Sequence, residues 1–377
     1  MKKKIITGAF FVVLFLFSLI ISYLFGIYSK VHVKSNVSAN NPLVTATPTP
    51  TPDPLGVRNI LLLGYGGAGH EGALLTDTMI VAHVEPRNDR VILISIPRDI
   101  WIPIPITSNS DKLDKINHAY SIPYEEHKYP NLSQEFRGPA GGGTLSKLMV
   151  EKVTGLHIDN FVAINFSGFK TIIDNLGGVS VSVPFAFTDN FYPLEGMEDE
   201  TCDKADEDIK ALTATMSGFL LEQQFPCRYE ELHFDKGVAQ MDGETALKFV
   251  RSRHSDINGS DFGRTLRQQA FIIGIKNKLL QYKSITKIIS TINLVSNNIT
   301  TDIDIPTAVN LLKDQGSVSD VTIKTISLNT DNVLRETFSG DGQYILLPQS
   351  SDSDWSSIKD YIKENIDKID SKESSLQ

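Results

Sequence analysis

The residues of this chain best suited to chemistry crowd into one stretch. Between Met241 and Gln269 stand four arginines, Arg251, Arg253, Arg264 and Arg267, with Asp242, Asp256 and Asp261 among them. The chain as a whole carries a formal charge of −9, so the cluster is not a sample of a generally basic surface. A guanidinium is a rigid fork of donors that matches phosphate oxygens two at a time, so these residues suit a phosphate or diphosphate. A solvated face laced with surface ion pairs is the other reading of the same spacing.

Two elements must aim these side chains. Asp242 reads as the N-cap of a short helix over 243–251 that packs through Ala246, Leu247 and Val250. Arg251 and Arg253 then lie at its C-terminal end, before a polar loop over 254–260. A second helix starts near Asp261 and runs to about residue 280. On it Asp261, Arg264 and Gln268 share one face, while Phe262, Leu266, Ala270 and Ile273 fall on the other at core spacing.

A second group of candidates sits at strand ends. Residues 59–64 (NILLLG), 78–84 (TMIVAHV) and 90–96 (RVILISI) read as strands, the first and third apolar enough to be buried on both faces. Asp77 enters the second strand, as a turn residue or as a ligand for a hard cation. Arg98 and Asp99 leave the third, where open α/β sheets bind ligands; an ion pair capping the strand is the alternative. Lys115 and Asn117, in DKINHAY, are weaker candidates taken alone. Gly64, Gly66 and Gly69 satisfy a dinucleotide-binding spacing, with Glu85 further on. Too few residues separate Gly66 from the next strand to hold a crossover helix, so these glycines are read as a loop whose N–H groups can approach an anion. No zinc-protease or serine-hydrolase motif is present.

The remainder sets the context. Residues 5–28 form an uncharged apolar run long enough to cross a bilayer, preceded by Lys2, Lys3 and Lys4, which argues for a cytoplasmic N-terminus. An uncleaved single-pass anchor over 1–34 is expected, with the bulk of the chain outside the cytoplasm; a cleaved signal peptide is the rival. Setting aside those lysines together with Lys30 and Lys34 leaves a body of −14, so no nucleic-acid partner is expected. Residues 35–56 are a linker whose Thr-Pro repeats favour extended polyproline II. One large domain follows over 57–348, and 349–377 hold a closing amphipathic helix (355–369) and a polar, disordered tail from Asp370. Helices are expected over 144–153, 167–176 and 306–312, and strands over 179–183 and 321–328. Strands and helices alternate, so the predicted class is α/β, a three-layer α-β-α arrangement with a mixed central sheet behind one transmembrane helix. An acidic insertion at about 187–230 contains the only cysteines, Cys202 and Cys227, which either close a disulfide or remain buried thiols.

The motifs NILLLG, TDTM, SIPRD and KINHAY, then DGExALxxxRxR and DxxRxxRQ, stand in one order behind the predicted anchor. In this the chain resembles the LytR-CpsA-Psr family over roughly 57–348. The resemblance implies a phosphotransferase of the bacterial envelope that moves a glycopolymer, such as teichoic acid or capsule, from undecaprenyl diphosphate onto peptidoglycan at the membrane. It implies Arg98, Arg251, Arg253 and Arg264 as diphosphate ligands, with Arg267, Gln268 and Lys115 lining the pocket. It implies Asp77 as a ligand for Mg²⁺ (or Mn²⁺), and Asp99 and Asp261 as orienting groups or bases. One position departs from the family: the aspartate expected after the first strand is replaced by Gly64-Tyr65-Gly66-Gly67, with Glu71 the nearest acid. A non-catalytic binder of polyprenyl phosphates or wall polymer, and a metal-dependent extracellular phosphatase, are the other functional readings.

Overall fold

A computed structural model of the chain describes residues 56–70, 72–216, 218–257, 259, 261–281 and 321–374, with short pieces at 26, 28–33, 294, 296–304 and 307. Apart from a few of those short pieces, the apolar run 5–28, the linker and the helix expected over 306–312 lie outside the described residues. Among the described residues no helix is long and apolar enough to cross a membrane. The chain divides into two compact units, Met1–Gly168 with Ser284–Gln377, and Phe169–Lys283.

The first unit is built on a six-stranded mixed sheet. Its strands are β1 (Arg58–Tyr65), β2 (Thr76–Glu85), β3 (Arg90–Ser95), β6 (Asn160–Asn165), β11 (Ile299–Thr301) and β12 (Thr322–Ser327), in the order β11-β6-β1-β2-β3-β12. β1 and β2 are antiparallel neighbours, as are β2 and β3, while β6 runs parallel to β1 and β12 parallel to β3. The register sets Phe161, Leu61, Val81, Ile94 and Ile326 in one row across the sheet, all buried in a single core. Helix α1 (Gly141–Thr154) covers that face with Leu145, Met149, Val150 and Val153. The closing helix, α7 (Ser356–Ser374), adds Ile358 and Ile362. The opposite face, with Ile80, Ala82, Val84 and Leu93, is apolar too, which is why these strands read as continuous apolar runs.

Two sequence expectations change here. Helix α1 begins three residues early, on Gly141-Gly142-Gly143, because only glycine fits its approach: a Cβ on Gly143 would lie 2.2 Å from the Phe161 ring. The closing helix continues past residue 369, so Asp370 is not in a disordered tail. Its carboxylate pairs with Arg90, which is 2% exposed and also bonded to Glu85. A buried guanidinium between two carboxylates gives the helix end a reason to stay ordered.

The remaining strands of this unit form two hairpins, β4 (Trp101–Thr107) with β5 (Ser110–Lys115), and β13 (Leu334–Phe338) with β14 (Tyr344–Pro348). In the second unit β7 (Val179–Val183) pairs with β10 (Gly237–Met241), and β8 (Phe187–Pro193) with β9 (Tyr229–Phe234). Its helices include α2, which begins at the unit boundary (Phe166–Asn175), α3 (Asp206–Thr215), α4 (Phe219–Glu222), α5 (Gly243–Arg251) and α6 (Asp261–Gln281). The expected extents of β7 and α5 match the fold, and Asp242 caps α5 by accepting from the Thr245 N–H at 2.8 Å.

Arg90→Ala leaves Glu85 buried without its cation. It is expected to destabilise the protein by about 3–5 kcal/mol, read as a lowered urea midpoint of the purified chain.

Candidate functional site

In the first unit the fold brings Asp77, Arg98, Asp99 and Lys115 into one network. Asp77 is the second residue of β2, and Arg98 and Asp99 follow β3 after Pro97. The β4–β5 hairpin returns the chain so that Lys115 pairs with Trp101, and the Ile116 N–H donates to the Ile100 carbonyl at 2.7 Å. Arg98 bonds Asp77 through Nη1 and approaches Asp99 through Nε at 3.4 Å. Lys115 Nζ donates to the other Asp99 oxygen at 2.6 Å. Asp99 is 3% exposed and its backbone carbonyl is held by the Leu346 N–H at 2.9 Å. Two cations and two carboxylates thus form a charge-balanced cluster on the strand ends. Asn117 is buried beside it: its N–H meets the Arg98 carbonyl at 3.4 Å, and its Oδ1 has no hydrogen-bond partner among the described residues.

Next to Lys115, Asp114 accepts from His118 at 3.1 Å and from Lys112. Burial works against its charge, but the His118 and Lys112 hydrogen bonds outweigh this and hold its carboxyl at about 2. These contacts fix the strand that presents Lys115.

The glycine-rich stretch is a loop between antiparallel β1 and β2, not the turn of a crossover unit. The Gly67 N–H donates within that loop, to the Ala73 carbonyl at 2.8 Å. Glu71, the acid nearest to the missing aspartate in sequence, lies outside the described residues. Among the described residues no group of three or more His, Cys, Asp or Glu is placed to hold a metal ion.

The second unit gathers Arg251, Arg253, Arg264, Arg267 and Gln268 around the loop from Ser252 to Ser255. The organiser is Asp189 on β8, 1% exposed. Its Oδ2 accepts from the Ser252 hydroxyl at 2.7 Å and from the N–H groups of Arg253 and His254, each at 3.1 Å. Its Oδ1 accepts from the Phe191 N–H at 3.0 Å. Arg251, in the last turn of α5, donates to the Tyr192 hydroxyl at 3.2 Å. Arg253 is half-buried, while Arg264 and Gln268 are buried, Gln268 reaching the Val250 carbonyl at 3.4 Å.

Arg267 differs from its expected place lining a ligand pocket. It is fully buried, bonded to the Ser252 carbonyl and to Ser255 Oγ at 3.3 Å, with its guanidinium 4.7 Å from the Phe187 ring centre. Burial lowers its pKa to about 10. Its donors support the loop from beneath. The faces of α6 are correspondingly reversed from the sequence expectation: Arg264, Arg267, Gln268, Phe271 and Gly274 are buried, while Ile273 is 38% exposed. The helix packs on β7 through Gly274, where a Cβ would sit 2.9 Å from the Ser180 carbonyl, and this close approach decides which stripe faces inward. Asp261 opens α6, but its side chain lies outside the described residues.

The acidic insertion proves to be part of the loop's support. Besides Asp189 and Tyr192, it supplies Phe219, stacked on the His254 ring at 4.2 Å and 4°, and Glu222, 3.2 Å from His254 Nε2. The His254 hydrogen bond holds the Glu222 carboxyl below its usual range. Cys202 and Cys227 form a disulfide with Cα atoms 5.6 Å apart, closing the segment that carries Phe219 and Glu222. None of these four supporting side chains, Asp189, Tyr192, Phe219 and Glu222, was picked out from sequence. Asp189 alone carried a usable signal, an acid between Phe187 and Phe191 on the inward side of a strand, where a carboxylate must find donors.

With this geometry in view, the comparisons with known proteins are specific. A model of the LytR_cpsA_psr family matches residues 23–358. This chain therefore belongs to the LytR_cpsA_psr family. The polyisoprenyl-teichoic acid–peptidoglycan teichoic acid transferase TagU of Oceanobacillus iheyensis is 29% identical over 307 residues, covering 81% of this chain and 76% of its own. A transferase of the same name from Bacillus cereus is 26% identical over 369 residues, covering 94% and 96%. The crystal structure of B. subtilis TagV superposes with a TM-score of 0.53 at 25% identity, over 82% of this chain and 97% of that one.

Two measurements test the supports. Asp114 titrates at 3.8 when unperturbed and at about 2 here, so its contribution is complete above pH 4 and lost as pH falls through 2. Asp114→Asn should cost about 2 kcal/mol at neutral pH and flatten the stability profile between pH 4 and 2. Asp189→Ala strands several buried donors and should cost about 3 kcal/mol or more in chemical unfolding, with Asp189→Asn recovering part of it.

Proposed function

We propose that this chain is a membrane-anchored phosphotransferase that moves a glycopolymer from a polyprenyl diphosphate carrier to a peptidoglycan hydroxyl, outside the cytoplasm of a bacterial cell. The observation that carries this reading is the arginine loop, in which a buried carboxylate and a buried guanidinium fix the backbone that presents Arg251 and Arg253. Membership of a family whose relatives are named as teichoic acid transferases supports the substrate class.

The chemistry asks for charge neutralisation and positioning rather than a covalent protein intermediate. In the second unit Arg251, Arg253 and Arg264 are the proposed diphosphate ligands, with Gln268 contributing a hydrogen bond; in the first unit Arg98 and Lys115 are the proposed phosphate-binding residues. The acceptor hydroxyl oxygen attacks the glycan-proximal phosphorus and its proton passes to a carboxylate, Asp99 or Asp261. The bond from that phosphorus to the bridging oxygen breaks, and polyprenyl phosphate leaves. Mg²⁺ (or Mn²⁺) is the proposed cofactor. The donor set suits it in one way: Mg²⁺ characteristically takes one or two protein oxygens and completes its shell with substrate phosphates and water. Asp77 offers a carboxylate, and the unpaired buried Asn117 Oδ1 is a second oxygen of the right kind. When bound, the ion would neutralise diphosphate charge.

The test uses the full chain in detergent, a lipid-linked oligosaccharide donor, soluble peptidoglycan acceptor and Mg²⁺. Arg251→Lys keeps the charge but loses the fork, and is expected to lower kcat/KM by about 100-fold. Unchanged turnover would remove the arginine loop from the mechanism. Lipid binding without turnover at any metal concentration would mark a non-catalytic binder, and phosphate release without acceptor a phosphatase.

A further inference from the structure

The β13–β14 hairpin ends in two exposed aromatic side chains that nothing in the reaction so far uses. Phe338 is 70% exposed and Tyr344 41% exposed, and they are direct cross-strand partners. Their rings stand edge to face, 6.4 Å apart at 79°, and make an L-shaped apolar corner. Exposed aromatics of this size are costly to leave in water without a purpose. Polar groups fringe the corner. Tyr344 donates to Glu336 Oε2 at 3.3 Å, and Gln343 Nε2 donates to Asp341 Oδ2 at 2.7 Å in the turn.

The same hairpin is tied to the Asp99 cluster. Two residues along β14 from Tyr344, the Leu346 N–H holds the Asp99 carbonyl at 2.9 Å, and Ile100 bridges to Leu346. At about 3.4 Å of rise per residue, the aromatic corner lies roughly 7 Å along the strand from that contact. Asp341 in the turn feels the charge of Asp114, on the strand that ends in Lys115. The corner and the candidate base are therefore joined through the backbone of β14.

We propose that Phe338 and Tyr344 form a subsite for a neutral, hydroxyl-rich glycan, the acceptor strand whose hydroxyl is to be phosphorylated. A flat apolar ring face receives the C–H face of a sugar, and Glu336, Asp341 and Gln343 offer acceptors and donors to its hydroxyls. The charge pattern decides against the other occupants. An anionic wall polymer would meet Glu336 and Asp341 as like charges, and a membrane surface is met by aromatic tips fringed with lysine or arginine, not with acids. This assignment rests on the transferase reading of the Asp99 cluster for its role, but glycan binding is measured without any donor.

Isothermal titration of the full chain in detergent should be run with three probes: peptide-free peptidoglycan glycan oligomers, a polyglycerol-phosphate polymer, and vesicles of phosphatidylglycerol with phosphatidylcholine. Phe338→Ala and Tyr344→Ala are each expected to weaken glycan-oligomer binding about tenfold, equivalent to about 1.4 kcal/mol, and Phe338→Trp to retain it. In the transfer assay both alanine variants should raise the acceptor KM and leave kcat at saturating acceptor unchanged. Unaltered oligomer binding in both alanine variants overturns the subsite, as does a loss confined to the anionic polymer or to the vesicles. If the unsubstituted chain gives no transfer with donor, acceptor and Mg²⁺ while Phe338→Ala still loses the glycan, the transferase reading fails and the binding corner stands.

Discussion

The second unit depends on one buried carboxylate. Four arginines within seventeen positions repel one another, and a loop between two helices gives their backbone no ladder to hold it. Asp189 supplies both missing terms. Its negative charge offsets the cluster, and its Oδ2 holds the Ser252 hydroxyl and the backbone N–H groups of Arg253 and His254. Arg267 completes the support from below by donating to the Ser252 carbonyl. The fourth arginine of the motif thus serves as structure, beneath the backbone that carries Arg253. Arg251 gains further from its place in the last turn of α5, where the helix dipole favours a cation.

The first unit solves a different problem by a different route. Asp77, Arg98, Asp99 and Lys115 neutralise one another in the absence of any ligand, so the cluster does not pull the strand ends apart. On the proposed chemistry a phosphate oxygen would compete with a carboxylate for Arg98, an exchange that is nearly isoenergetic in hydrogen-bond terms because one charged acceptor replaces another.

Sequence reading recovered what periodicity and capping control. The strands β1 to β3, the short helix α5 with its Asp242 cap, and β7 after its double-glycine stop all follow from local pattern. Arg98 and Asp99 followed from the rule that ligands gather at strand ends, Asp77 from its place where the loop enters the sheet, and Lys115 from the family resemblance, and the four do meet. What local pattern could not reach were partners distant in sequence. Asp189 lies more than sixty residues from the loop it holds, and Phe219 and Glu222 stand in a segment that reads as an acidic appendage. The reversed faces of α6 have the same origin. Apolar periodicity pointed Ile273 inward, but the close backbone approach at Gly274 and the unpaired groups of the arginine loop drew the polar stripe in instead.

The acidic insertion also shapes the electrostatic field of the second unit. Eight exposed acids lie between Glu195 and Asp208, and α3 among them buries no residue at all. A helix with no buried face contributes little to the core, and its charges act on the field around the molecule. On a body this acidic, an anionic polymer is repelled everywhere except where arginines are concentrated, and the repulsion weakens beyond about 8–10 Å at physiological salt. Broad repulsion and a local cationic sink together direct an approaching phosphate group toward the arginine loop rather than elsewhere on the surface.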